Sequence, residues 1–211
     1  MKIYTILLFI HIVAGAIGLI GGTYIMFAKK GTKIHKSAGK IFFYSMVFIF
    51  LTCCAMCYLK TNYFLLLVGF FSFYMACTGY RVLAHKKLAA AKYSPFILDK
   101  LIFLFGFLSG ISIIILGFSI LKPNFGFAIV CFFFGKLSIF LSVNDMMKFY
   151  RTPIKRNYWI TAHSTRMAGA YTATVTAFIV VNIQIEHGWI LWILPSFIIL
   201  PITFRILKNY R

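Results

Sequence analysis

The chain has 211 residues, 62% of them hydrophobic, and sets 22 Lys and Arg against three Asp and Glu, a formal net charge of +19. This composition excludes a water-soluble globular domain, because a bilayer span takes about 20 mostly apolar residues and spans with short loops use up the length. In a soluble protein the basic excess would point to nucleic acid. Here it lies between apolar stretches, facing anionic inner-leaflet lipid, where each Lys or Arg contributes about 1 kcal/mol.

The apolar stretches predict an all-α, polytopic membrane helix bundle, a single transmembrane domain over residues 1–211 with spans at 3–27, 41–59, 62–84, 101–121, 125–147, 160–183 and 189–204. The first connection holds Lys29, Lys30, Lys33, Lys36 and Lys40, and the third holds Arg81, Lys86, Lys87, Lys92 and Lys100. The fifth holds Lys148, Arg151, Lys155 and Arg156, and the tail holds Arg205, Lys208 and Arg211. Only Lys2, Lys60 and Lys122 fall on the other side. Basic residues concentrate in cytoplasmic loops, so the N-terminus is expected outside and the C-terminus in the cytoplasm of a multi-pass inner (plasma) membrane protein.

Ala14-Gly15-Ala16 has the small residues of a signal-peptide cleavage site. Cleavage there would strand the following lysine cluster outside, against every later loop, so that reading is set aside. Pro95 and Pro153 stand where helices should have ended. Tyr58, Tyr63, Trp159, Trp189 and Trp192 stand near span ends, as an interfacial aromatic belt requires. Cys53, Cys54, Cys57, Cys77 and Cys131 all fall inside spans without paired metal or redox spacing, and buried Cys acts as a small apolar residue. The second and sixth spans share a histidine-to-glycine run after a basic loop, a weak echo that would suit two parallel three-span repeats about a central helix.

Ionisable groups within spans face the bundle interior or a wet cavity by default. His11 in the first span shares one helical stripe with Gly15, Gly18 and Gly22. Such a stripe lets another helix approach closely; the other reading is a groove for a flat ligand such as haem with His11 as an axial ligand. In the sixth span His163, Arg166, Ala170, Thr174 and Ala177 share a face, and Arg166 should lie roughly 9 Å inside the boundary. The acids are Asp99, Asp145 and Glu186, none of them near the midplane, which disfavours a carboxylate proton relay. Salt-bridging Arg166 or Arg81 is the simplest role for Asp145. Lys136 lies halfway through the fifth span, and a buried Lys there would need backbone carbonyls, Asn182, a tyrosine hydroxyl or an anionic ligand as acceptor. His35 and His85 fall at the cytoplasmic boundary beside lysines, where a solvated loop residue is the usual finding, and His187 falls in an outer turn.

At these residues the chain resembles an uncharacterised prokaryotic membrane family, domain of unknown function 2306. The resemblance rests on His11-Ile12-Val13-Ala14-Gly15, on the run from Lys30 to Lys40, and on Ser72-Phe73-Tyr74 with Gly79-Tyr80-Arg81. Asp145, His163 with Arg166-Met167, Thr176-Ala177-Phe178 and Val181-Asn182 complete it. It implies the same multi-span architecture and marks His11, His35, Arg81, Asp145, His163 and Arg166 as the shared polar set. It brings no known activity.

Two arginines with several lysines and few acids favour anions, and a planar guanidinium suits phosphate or carboxylate. The first expectation is therefore a cytoplasm-facing site of Arg81, Asp145, His163 and Arg166, rimmed by His35 and His85, with His11 and its glycines as a deeper wall. It would bind, or transport, an anionic or polar-headed ligand such as a lipid, quinone or small metabolite. The alternative is a b-type haem redox protein. His11 and His163 sit at depths too different to share one iron, which leaves His85 with His163, or His11 with a non-histidine ligand. A third reading is a membrane zinc hydrolase built on His35, His85, His163 and Asp145.

The topology has a direct test. On a cysteine-free background, Lys33→Cys or Lys155→Cys should resist an impermeant external thiol reagent, and Lys122→Cys or His187→Cys should react; the reverse pattern overturns the orientation.

Overall fold

The computed structural model describes residues 2–88, 95–150 and 157–208, with backbone alone for 86–88. The basic residues Lys92, Arg151, Lys155, Arg156 and Arg211, and Pro153, lie outside the described residues. Seven α-helices follow in order: α1 (Lys2–Phe27), α2 (Lys33–Leu59), α3 (Tyr63–Arg81), α4 (Ile97–Ser119), α5 (Phe125–Met147), α6 (Tyr158–Asn182) and α7 (Leu194–Lys208). A 3₁₀ segment, Val82–Leu88, prolongs α3, and another, Gly188–Trp192, precedes α7. No strand occurs among the described residues.

The protein is a multi-pass membrane helix bundle. Six segments are long and apolar enough to cross a bilayer: α1, α2, α3 with its 3₁₀ turn, α4, α5, and α7 with the turn before it. A helix of 23 residues such as α4 or α5 rises about 35 Å, enough for a hydrocarbon core of about 30 Å. The outer surface is what lipid requires: Phe9 is 68% exposed, Ile20 71%, Ile115 63% and Phe118 67%, an apolar display that a soluble monomer does not carry. Three helix starts are closed by side chains that take up amides the first turn leaves open. Thr32 accepts from the His35 amide at 3.2 Å, Asn62 from Leu65 at 3.1 Å and Asn124 from Phe127 at 3.2 Å.

The sixth expected span is a helix of 25 residues, long enough to cross but too polar to count among the six. The reason is its position: α6 packs against α3, α7 and α1. A helix enclosed by protein can carry His163, Arg166 and a row of threonines that a lipid-facing helix could not. The expected fifth span coincides with α5 residue for residue. By contrast α2 starts at Lys33, about two turns before the apolar run, because capping by Thr32 lets the helix project beyond the hydrocarbon. The last crossing is a 3₁₀ turn followed by a helix of 15 residues that contains Pro201.

α1 pairs with α2 along its length, α4 with α5, and α3 with α6, α4 and α2. α5 leans on α4 instead of α6, so α1–α3 and α5–α7 are not built alike and the expected repeat is not realised. The core gathers Phe42, Met46, Phe71, Tyr74, Met75, Ile113, Val130 and Phe134 between these pairs. In the α1 stripe, Gly18 receives Ser45 and Ile49 of α2, and the space at Gly22 is taken by Tyr171 and Phe42. At Gly18 and Gly22 the stripe is thus the packing seam that small residues allow, while a Cβ at Gly15, nearest His11, would meet nothing within 4 Å.

Candidate functional site

Polar side chains from α3, α5 and α6 converge near the end of the bundle that carries the basic connections. Asp145, 9% exposed, lies one turn from the end of α5 and accepts bonds from three side chains. The Tyr74 hydroxyl of α3 donates to Oδ2 at 2.7 Å, and Lys148 Nζ donates to Oδ1 at 3.1 Å. Arg166 of α6, also 9% exposed, donates through Nη2 to Oδ1 at 2.9 Å and through Nε to Oδ2 at 3.3 Å, with Nη2 also reaching the Leu141 carbonyl at 3.2 Å. Two-point guanidinium–carboxylate pairing of this kind fixes orientation as well as charge.

Close helix approach makes the convergence attainable. A Cβ at Gly106 of α4 would stand 2.5 Å from the Tyr74 ring, so only a glycine there lets Tyr74 lie fully buried with its hydroxyl on Asp145. At Gly79 of α3 a Cβ would meet Met167 Sδ at 2.8 Å and Arg166 Cβ at 3.1 Å. This close contact between α3 and α6 sets Arg166 against Asp145. Neither glycine needs an unusual backbone conformation, since both lie inside regular helices.

A second carboxylate completes the centre. Asp99 in the first turn of α4 is buried, accepts from Arg81 Nε at 2.8 Å and Nη2 at 3.4 Å, and lies 3.1 Å from His85 Nε2. Its Oδ2 also accepts from the Phe96 amide at 3.0 Å, closing the helix start. Between the two carboxylates lies a recess lined by Tyr74, Thr78, Arg81, His85, Asp145 and Lys148, with Asp99 at its side. Its free volume is about 20 Å³, room for about one water molecule.

Besides His85 at the recess, the candidate-site histidines fall in two further places. His163 Nδ1 is 2.8 Å from the Gly79 carbonyl, which makes Nδ1 the protonated nitrogen and leaves Nε2 a lone pair. Its ring centroid is 6.5 Å from that of His35, edge to face. His35 is half-buried in the first turn of α2, and its Nδ1 is enclosed without a hydrogen-bond partner. Nearby, Lys30 in the connection caps the end of α1 through the Ile25 and Met26 carbonyls at 2.6 and 2.8 Å, and burial lowers its pKa from the usual lysine value. His11 lies elsewhere: Nδ1 is 2.8 Å from Thr52 Oγ1, whose own proton goes to the Phe48 carbonyl, so the imidazole donates. Thr52 is 17 residues beyond His35 on α2, roughly 25 Å by helical rise.

The expected single cavity is therefore divided. Arg81 and Asp145 line the recess. Arg166 stands behind Asp145, spent on the carboxylate and on a carbonyl. His163 and His35 face each other across the α2–α6 side, and His11 forms no deeper wall because it lies toward the opposite end. Arg81 pairs with Asp99 and not with Asp145. The set His35, His85, His163 and Asp145 does not assemble, and no group of three metal-ligating side chains forms among the described residues. Lys136 is exposed on the outer face of α5, contrary to the buried setting expected for it, and Asn182 instead donates to the Phe178 carbonyl at 2.7 Å. Sequence reasoning missed Tyr74 and Asp99 as members of the centre. A tyrosine in an apolar run reads as core, and an acid at a helix start reads as a cap.

A scan against protein-family models, a search of curated proteins and a search of solved structures each found no match to the chain.

Breaking a buried ion pair by removing one partner costs about 3–5 kcal/mol, whereas removing both is far milder. Asp145→Asn should lower the unfolding stability of the detergent-solubilised protein by about that amount, and Asp145→Asn with Arg166→Gln should lower it less. Asp145→Asn with Arg81→Gln should be close to additive, since Arg81 belongs to Asp99. Additivity in both cycles would show that Asp145 and Arg166 do not interact.

Proposed function

We propose that the chain is an inner (plasma) membrane protein, N-terminus outside and C-terminus cytoplasmic, whose recess between Asp99 and Asp145 binds an anionic or polar-headed ligand. The observation that carries this reading is the charge balance of the centre: Arg81, Lys148 and Arg166 against two carboxylates, with His85 beside them. Among the described residues three fixed cations face two carboxylates, an excess of one positive charge in a setting largely screened from water, where an anion is favoured. Tyr74, Arg81, Asp145, His163 and Arg166 also fall within the stretches that carry the resemblance to domain of unknown function 2306, so membership of that family would make this polar centre a shared one.

A recess that holds one water molecule admits a headgroup only at its mouth, and Lys148 is the group suited to open it. It sits on a flexible four-carbon stem, and Asp145 keeps Arg166 and Tyr74 when Lys148 turns away. Arg81 and Lys148 would hold the anion, and the two carboxylates would keep the cations apart. Arg166 is assigned to positioning Asp145 and not to the ligand.

The His35–His163 pair supports a second, reduced reading. Two imidazoles on one tetrahedral metal ion, each nitrogen about 2.0–2.1 Å from it, would have ring centroids about 5 Å apart, so the observed pair at 6.5 Å would have to close on the ion. The Gly79 carbonyl on His163 Nδ1 is the kind of orienting contact that ligating histidines use. Water or substrate would have to complete such a site. The close seam of Gly79 with Met167 and Arg166 favours a bare ion over the flat slot that haem b requires.

Phosphatidylglycerol set against phosphatidylcholine in nanodiscs tests the first reading. The wild-type protein should bind the anionic lipid preferentially, and Lys148→Gln or Arg81→Gln should weaken it about tenfold to a hundredfold, the value of one charge-assisted hydrogen bond. Equal affinity in the wild type and both variants, for this lipid and for inorganic phosphate, would contradict the reading. Stoichiometric metal lost with His163→Ala would favour the second, and a Soret band would point to haem instead.

A further inference from the structure

Lys136 is the twelfth of the 23 residues of α5, eleven positions from Phe125 and eleven from Met147. It therefore lies about 16 Å from either end of the helix, at the middle of the hydrocarbon layer. The side chain is exposed on the outside of the bundle and has no hydrogen bond or ion pair among the described residues. Lysines near helix ends escape such a position by extending to the interface. From mid-helix the four-carbon stem covers less than half the distance.

The chain holds no counter-ion for this charge. Asp99 and Asp145 are buried and paired near the other polar groups, and Glu186 is exposed in the turn before the Gly188–Trp192 segment. A second copy would bring another lysine and no carboxylate at this depth. Anionic lipid is excluded by the same geometry, because headgroups lie outside the hydrocarbon.

The surroundings of Lys136 are shaped for a helix. Phe125, Lys136, Phe140, Val143 and Met147 are all exposed, and with half-buried Ile129 and Phe132 they run along one face at spacings of three or four, Phe132 also meeting Phe118 of α4. That spacing is the seam of two helices lying side by side. α5 leaves this line open because its inner side packs against α4, with further contacts to α3 and the Gly188–Trp192 segment, and nothing among the described residues covers the positions from Lys136 to Met147 that stand exposed.

We propose that the outward line of α5 docks a transmembrane helix of a different protein, one that carries an Asp or Glu at mid-depth opposite Lys136. The pair satisfies both charges where neither water nor headgroups reach, and the flanking Phe140 and Val143 supply the apolar contact. The inference does not depend on the ligand reading of the recess.

The test places a photo-crosslinking amino acid at Phe140 in the full-length protein in its native membrane. The expected product is an adduct whose crosslinked peptide belongs to a transmembrane segment with a central Asp or Glu. Lys136→Leu should reduce that adduct at least tenfold while leaving insertion and thermal stability unchanged or improved, since leucine suits the lipid face. Lys136→Asp combined with the reciprocal change of the partner's acid to Lys should restore it. Adducts with lipid alone, adducts with a second copy alone, or a protein adduct indifferent to Lys136→Leu would each overturn the proposal.

Discussion

The buried pair of Asp145 and Arg166 is the constraint to which the half of the bundle nearest the basic connections is fitted. A carboxylate and a guanidinium withdrawn from water cost several kcal/mol each, and their attraction offsets that cost only when the geometry is close and the spare lone pairs are satisfied. Both conditions hold: the guanidinium meets the carboxylate at two points, and the Tyr74 hydroxyl and Lys148 take up further acceptor sites. Meeting them draws together α3, α5 and α6, although α5 makes little other contact with α6. The glycines at 79 and 106 are the steric counterpart, since a side chain at either would push apart the groups the pair needs together.

The division between polar and apolar helices follows from the same requirement. α1 shows most of its surface to lipid and carries one ionisable side chain in its interior, His11, which is bonded to Thr52. α6 is screened by α3, α7 and α1, and it carries His163, Arg166 and threonines whose hydroxyls return to carbonyls one turn back, such as Thr172 to Ala168 and Thr174 to Ala170. Polarity in this bundle tracks enclosure by protein. Lys136 is the exception, and that is why its exposure asks for a partner outside the chain.

The spans were legible because hydropathy over about 20 residues is a strong signal, and α5 was read to the residue. The start of α2 was not, since the run from Lys33 to Lys40 is polar and its helicity comes from the Thr32 cap and from projection beyond the lipid. Within the site, an arginine partner for Asp145 was legible from charge, with Arg166 and Arg81 as the two candidates. The choice of Asp99 for Arg81 was not, because it depends on where the first turn of α4 lies against α3. Lys136 was misplaced for a related reason: the sequence sets its depth but not which side of α5 meets α4. The three histidine positions separated because depth along a helix is readable and azimuth around it is not.

Amide hydrogen exchange in nanodiscs tests the central claim most directly, that the Asp145–Arg166 pair holds α3, α5 and α6 together. Asp145→Asn should speed exchange in the turns of these helices around the pair, residues 75–82, 141–147 and 160–168, while leaving the α1–α2 contact around His11 and Thr52 as protected as in the wild type. A uniform change along all seven helices, or none in those turns, would contradict the account.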